Sequence, residues 1–184
     1  MKIAACVLTC FVGLSVAAPA DKPAPVQEFQ KHVENYMKVR KTACDRVPKL
    51  EKRAEPEEIT VNKRAQADAI RAARPNATQG DIFTPAATAY LKTVIAAYIK
   101  GPGRQPAKKA AKQGNPADEG GAKVPLKVNA TYPEEAPLST VPPALLVKLP
   151  KLPKELDYRF VGPHLVLHDA QAGIIIDFMP NAMP

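Results

Sequence analysis

The chain has 184 residues, a formal net charge of +8, 20 prolines, three cysteines and no tryptophan. That length suits one ordinary domain or two very small ones. So few cysteines exclude a disulfide-built scaffold, and aromatics at only 5% leave few rings on which nucleic-acid bases could stack, so no nucleic acid is expected as a partner.

Lys2 opens a short positive region, and Ile3 to Val16 form an apolar run containing Val7, Leu8, Phe11, Val12 and Leu14. Ala18-Pro19-Ala20 supplies a small-x-small cleavage pattern before the polar Asp21. The run is too short to span a bilayer, and nothing behind it stops transfer. Residues 1–20 therefore read as a signal peptide cleaved near Ala20, which implies a periplasmic or secreted chain with no transmembrane segment once mature. Val7-Leu8-Thr9-Cys10 resembles a lipobox only loosely and would cut the apolar run short. Cleavage removes Cys6 and Cys10 and leaves Cys44, which has no partner within the mature chain and could only link two copies.

Residues 21–25 read as a leader. A first helix is predicted near 26–47, because Val26, Phe29, Val33, Tyr36, Met37, Arg40, Cys44 and Val47 share one stripe, and Pro48 ends it. A second is predicted near 56–74. It is introduced by Glu55-Pro56-Glu57-Glu58, carries a face that is mostly alanine, and stops at Pro75. The two form a hairpin. Thr84 as N-cap and Pro85 at the first helical position start a third helix over about 85–100, with Phe83 placed for only a weak staple against Thr88.

Residues 101–123 are rich in Gly, Pro, Ala, Lys and Gln, with Lys108, Lys109 and Lys112, and read as a flexible basic linker. Leu126 to Tyr132 suits a short extended segment. Ser139 to Pro143 introduces a short helix holding Leu145, Leu146 and Leu149, which Pro150 and Pro153 end. Strands then follow at Tyr158 to Val161, His164 to His168 and Gly173 to Met179. The turn at Gly162-Pro163 has glycine where a type II′ turn needs it. Residues 124–184 thus hold a Pro-rich segment and a three-stranded antiparallel β-meander, able to pack on the helical region 21–100 as one domain. Tyr158, Phe160, Leu165, Leu167, Ile174, Ile176 and Phe178 are expected on one buried face. Arg159, Val161, His164, Val166, His168, Ile175 and Asp177 are expected on the other, with the amphipathic helices as a cover for it.

Turn arithmetic places Val161 opposite His164 and Arg159 opposite Val166. A four-residue second loop then sets Leu167 opposite Ile174 and His164 opposite Asp177. A His164–Asp177 pair with Arg159 nearby has the residue types of acid–base or metal chemistry, or of a polar pair that fixes register. No nucleophile accompanies it in sequence. His164 and His168 lie about 13 Å apart along one strand, too far to share an ion. His32 sits alone on the first helix, and no Cys/His spacing suits zinc, so neither a metal nor a cofactor is expected. Asn76-Ala77-Thr78 and Asn129-Ala130-Thr131 match the glycosylation pattern at a frequency that chance supplies. No repeat, phosphate-cradling glycine loop or nucleophile elbow is present.

Three segments carry a resemblance: Gln79-Gly80-Asp81-Ile82-Phe83-Thr84-Pro85 after Arg71 to Arg74; Ala136-Pro137-Leu138-Ser139-Thr140-Val141-Pro142-Pro143; and Leu156-Asp157-Tyr158-Arg159-Phe160-Val161-Gly162, continuing to Ile176-Asp177-Phe178 and Asn181-Ala182. In these the chain resembles an uncharacterised family of exported Gram-negative bacterial proteins. The resemblance implies export, with no activity and no catalytic residues carried over. The expectation is an α+β protein with a non-enzymatic binding or structural role in the envelope, its partner an envelope protein or an anionic surface. The rival is a hydrolase-type enzyme using His164, Asp177 and Arg159. A third possibility is a subunit of a larger assembly, whose partner covers the mixed sheet face.

Overall fold

The computed structural model describes residues 22–51, 53–101, 104–112, 123–136 and 141–183. The expected signal peptide, and Ser139 and Thr140, lie outside these residues. Five helices precede three strands among the described residues: α1 (Ala24–Cys44), α2 (Pro56–Ala73), α3 (Pro85–Lys100), α4 (Arg104–Lys112), α5 (Pro143–Leu146), β1 (Leu156–Val161), β2 (His164–Asp169) and β3 (Ile174–Met179). The architecture is α+β, with one antiparallel sheet in the order β1-β2-β3.

Local chemistry explains the helix boundaries. The Glu58 carboxylate accepts from the Glu55 backbone N–H at 2.9 Å and so closes the first turn of α2. Thr84 Oγ1 accepts from the Ala87 N–H at 3.3 Å at the start of α3. Between α1 and the expected end of its stripe the helix stops early, at Cys44, with Asp45 as C-cap. Arg104–Lys112 is helical where a flexible linker was expected. Ala, Lys, Gln and Arg are all strong helix formers, and Ala107 is buried at 1% exposure, so one contact suffices to fix the turn.

α1 buries Phe29, Val33, Tyr36, Arg40 and Ala43, α2 buries Ala67 and Ile70, and α3 buries Leu91 and Ile95. These meet Phe160, Leu165, Leu167, Ile174, Ile176 and Met179 in a single core, so the meander packs directly on the helices. The Phe29 ring lies 5.4 Å from that of Phe83 and 6.3 Å from that of Tyr158. The second sheet face is buried as well, but not by helices. Val161, Val166 and Ile175 pack with Val124, Tyr132 and Ala136. The segment carrying Tyr132 reaches this position along the free edge of β3: the Asn129 N–H donates to Ile175 O at 2.7 Å, the Ile175 N–H to Ala130 O at 2.9 Å and the Tyr132 N–H to Gly173 O at 2.8 Å.

The β1–β2 register is the expected one, with Val161 opposite His164 across Gly162, whose φ of +57° favours glycine. The β2–β3 register is not. Asp169 pairs with Ile174 and His168 with Ile175, and then a bulge brings Leu167 opposite Asp177 instead of Ile174. One extra residue, Ile176, is accommodated in β3. Everything beyond it changes face: Asp177 turns toward the helices, Phe178 joins the second cluster and Met179 enters the main core.

Asp169, fully buried at the end of β2, ties the sheet to α1. Its Oδ2 accepts from Arg40 Nε at 2.6 Å and from the Tyr36 hydroxyl at 2.7 Å. Its Oδ1 accepts from the Gln171 and Ala172 N–H groups at 3.1 and 2.9 Å, which shapes the β2–β3 turn. Arg40 Nη2 reaches Gln171 Oε1 at 2.9 Å and Gln66 Oε1 at 3.2 Å. Burial works against the Arg40 guanidinium, but the bond to Asp169, the Asp169 charge and smaller contributions from Cys44 and Tyr36 together prevail and hold its pKa above the ordinary value. Burial first, and then the neighbouring Asp169 charge, push the Tyr36 hydroxyl far above the ordinary tyrosine range. Arg40→Met would leave Asp169 buried without a counter-charge. Urea unfolding of that variant should show a loss of about 3–5 kcal/mol, against about 1 kcal/mol for Tyr36→Phe. An Arg40→Met loss no larger than that of Tyr36→Phe would contradict this role.

Candidate functional site

The three residues singled out in the sequence do not come together. His164 stands at the β1–β2 turn opposite Val161, and its Nδ1 accepts from the Asn181 N–H at 3.2 Å. Asp177 has been turned to the other face by the bulge, so the expected His164–Asp177 pairing is corrected. Its physical origin is the run Ile174-Ile175-Ile176, which has no polar residue to mark a change of alternation.

Asp177 is fully buried and accepts four backbone bonds. Gly80 N–H lies 2.9 Å from Oδ1, Phe178 N–H 2.8 Å from Oδ1, Ile82 N–H 2.8 Å from Oδ2 and Phe83 N–H 2.7 Å from Oδ2. The carboxylate thereby holds the 80–83 loop that leads into α3. Burial raises its pKa, and the four N–H donors pull it part of the way back. A group whose acceptor positions are filled by its own backbone is a structural clamp. Close by, Arg74 crosses the Tyr36 ring with its guanidinium 4.9 Å from the centroid. Its Nη2 reaches Ile176 O at 3.4 Å, and Asn129 Nδ2 returns a bond to Arg74 O at 2.9 Å.

A different His–Asp pair does form. His168 Nδ1 lies 2.9 Å from Asp157 Oδ1, and Arg159 Nη2 lies 3.0 Å from Asp157 Oδ2. The Tyr132 ring lies tilted, 4.9 Å from the His168 ring, and the Arg159 guanidinium sits 4.9 Å from the Tyr132 ring centre. Burial works against the Asp157 carboxylate, but its bonds to His168 and Arg159 prevail and hold its pKa below the ordinary value. The same turn arithmetic that paired Val161 with His164 also pairs Asp157 with His168, so the signal was present in the sequence. An Asp–His pair can orient an imidazole for proton transfer. Here the His168 side chain is only 5% exposed, which leaves little of the imidazole for a substrate to reach. The arrangement fixes the 123–136 segment onto the sheet.

Among the described residues no group of three His, Cys, Asp or Glu side chains could hold a metal ion. Cys44 is half-buried, with Sγ 3.9 Å from Gln66 Oε1, and burial pushes its thiol up while Arg40 pulls it back.

Two grooves adjoin at Lys154 and Glu155. One, about 970 Å³, runs between the C-terminal part of α1, the start of α2 and the β2–β3 turn, with exposed Lys38, Lys41 and Lys49 and the acids Asp45 and Glu155 in its lining. The other, about 740 Å³, lies beside β1 and is walled by Leu146, Val147, Pro150, Leu152 and Tyr158, with Lys151, Lys154 and Arg159 on its rim. Comparison with family models, curated protein sequences and solved structures finds no match.

Two outcomes test this assignment. Asp177→Asn removes an acceptor from several buried N–H groups and should cost about 1–3 kcal/mol in urea unfolding; a neutral change would contradict the clamp. His164 is partly desolvated, and burial lowers its pKa below the usual histidine value. Its contribution to stability is thus present above the unfolded pKa and lost as pH falls through the folded one. An NMR titration midpoint below about 6.5 is expected. A raised midpoint would restore an acidic partner.

Proposed function

We propose that the protein is an exported, non-enzymatic binding protein of the cell envelope that engages an anionic surface. Export rests on the leader at residues 1–20 and on the resemblance to exported Gram-negative proteins. The observation that carries the binding reading is the distribution of charge. The buried charged side chains Arg40, Asp169 and Asp177 are all consumed in holding the sheet to the helices, while the exposed cations, among them Lys38, Lys41, Lys49, Lys151 and Lys154 of the two grooves, are spread over the described surface. A chain of net charge +8 with its cations so placed is drawn to lipid headgroups and acidic polymers outside the cytoplasm. Among the described residues no helix is long and apolar enough to cross a membrane, so engagement would be from the side.

Binding through exposed lysines is screened by salt. Co-sedimentation of the chain from Asp21 onward with anionic vesicles or acidic wall polymer should therefore weaken steeply as ionic strength rises. Binding that ignores salt, or no binding at low salt, would contradict the reading.

A further inference from the structure

The short helix α5 divides its apolar residues in an unusual way. Leu145 and Leu149 are 0% and 5% exposed and belong to the core, yet Leu146 is 47% exposed and Val147 is 83% exposed. Val147 is also the C-cap of α5, so the pair sits where the chain turns out of the helix. Lys148, Lys151 and Lys154, all exposed, follow within the same stretch. Behind the pair the apolar surface continues into the 740 Å³ groove through Pro150 and Leu152. The acid on that rim, Asp157, is already bonded to Arg159 and His168, so it does not offset the lysines.

From this we infer that Leu146 and Val147, followed in the chain by Lys148, Lys151 and Lys154, form an edge that docks on an anionic lipid bilayer. The inference rests on the anionic-surface reading above and names both its contact face and its partner. An apolar pair flanked by cations matches the boundary of such a bilayer. There the aliphatic groups enter the acyl layer, and the ammonium groups stay among the headgroups. Chain geometry favours a bilayer over an acidic peptide. A peptide seated in the groove would leave the protruding Val147 largely in water, whereas an interface takes up a side chain that is exposed on all sides.

The test uses the chain from Asp21 onward, which contains every core residue, with mixed phosphatidylcholine–phosphatidylglycerol vesicles and with phosphatidylcholine alone. The wild type should bind the mixed vesicles and not the neutral ones. The double variant Leu146→Ser/Val147→Ser should lose roughly tenfold or more in partitioning, because the burial of two aliphatic side chains is removed. The triple variant Lys148→Glu/Lys151→Glu/Lys154→Glu should abolish binding. Both alter exposed residues, and an unchanged urea midpoint shows that each is folded. Wild-type binding that the serine pair leaves unchanged would overturn this face while sparing the anionic-surface reading. No wild-type binding at low salt to anionic vesicles, acidic wall polymer or poly-glutamate would overturn both. Retention on immobilised poly-glutamate without vesicle binding would overturn the bilayer in favour of an acidic protein partner.

Discussion

A carboxylate removed from water must find a counter-charge or a complete set of donors, and the whole molecule is arranged around two that have done so. Asp169 takes Arg40 and Tyr36 from α1 and two N–H groups from its own turn. The bond to Arg40 spans 129 positions of sequence, so it closes the fold from the first helix to the second strand. Without it the guanidinium of Arg40, 9% exposed, and the carboxylate of Asp169 would each be stranded in an apolar layer. Hydrophobic burial holds the helices on the sheet, but it does not choose their register. This ion pair does.

Asp177 performs the complementary task at the loop that leads into α3. The bulge that turns it inward shifts the last half of β3 by one residue, and the 80–83 loop supplies the donors that make the inward position favourable. The same turn of the strand delivers Met179 to the core and Phe178 to the opposite cluster. One irregularity thus serves packing on both faces. It also separates the two residues on which a hydrolytic mechanism would have relied. Among the described residues the buried side-chain polar groups are occupied in joining elements.

How much of this was legible in the sequence follows from how local each determinant is. Thr84-Pro85 marks the start of α3 because a cap and a fixed φ act over a single turn. The stripe from Phe29 to Arg40 marked α1 for the same reason, although Arg40 gave no sign that its partner lay on the sheet. The bulge was invisible because Ile174, Ile175 and Ile176 are interchangeable to a periodicity of two. Arg104–Lys112 read as linker because it lacks large apolar residues, yet its alanines and lysines have ample helix propensity once Ala107 finds a seat. The extended segment from Leu126 to Tyr132 was expected, and Leu126, Val128, Ala130 and Tyr132 alternate with Lys127, Asn129 and Thr131, but nothing local to it names the edge of β3 as its partner. The Asp157–His168 pair follows from the hairpin turn, because Val161 opposite His164 fixes every partner farther along β1 and β2.

The claim that two buried carboxylates bind loop, turn and sheet into one cooperative unit is tested most directly by hydrogen exchange measured amide by amide. The amides of Ile82 and Phe83, bonded to Asp177, and of Ala172, bonded to Asp169, should exchange with the same free energy as strand amides such as those of Leu165 and Leu167. Rapid exchange at Ile82, Phe83 and Ala172 while the strands stay protected would show that loop and turn open on their own, and would contradict it.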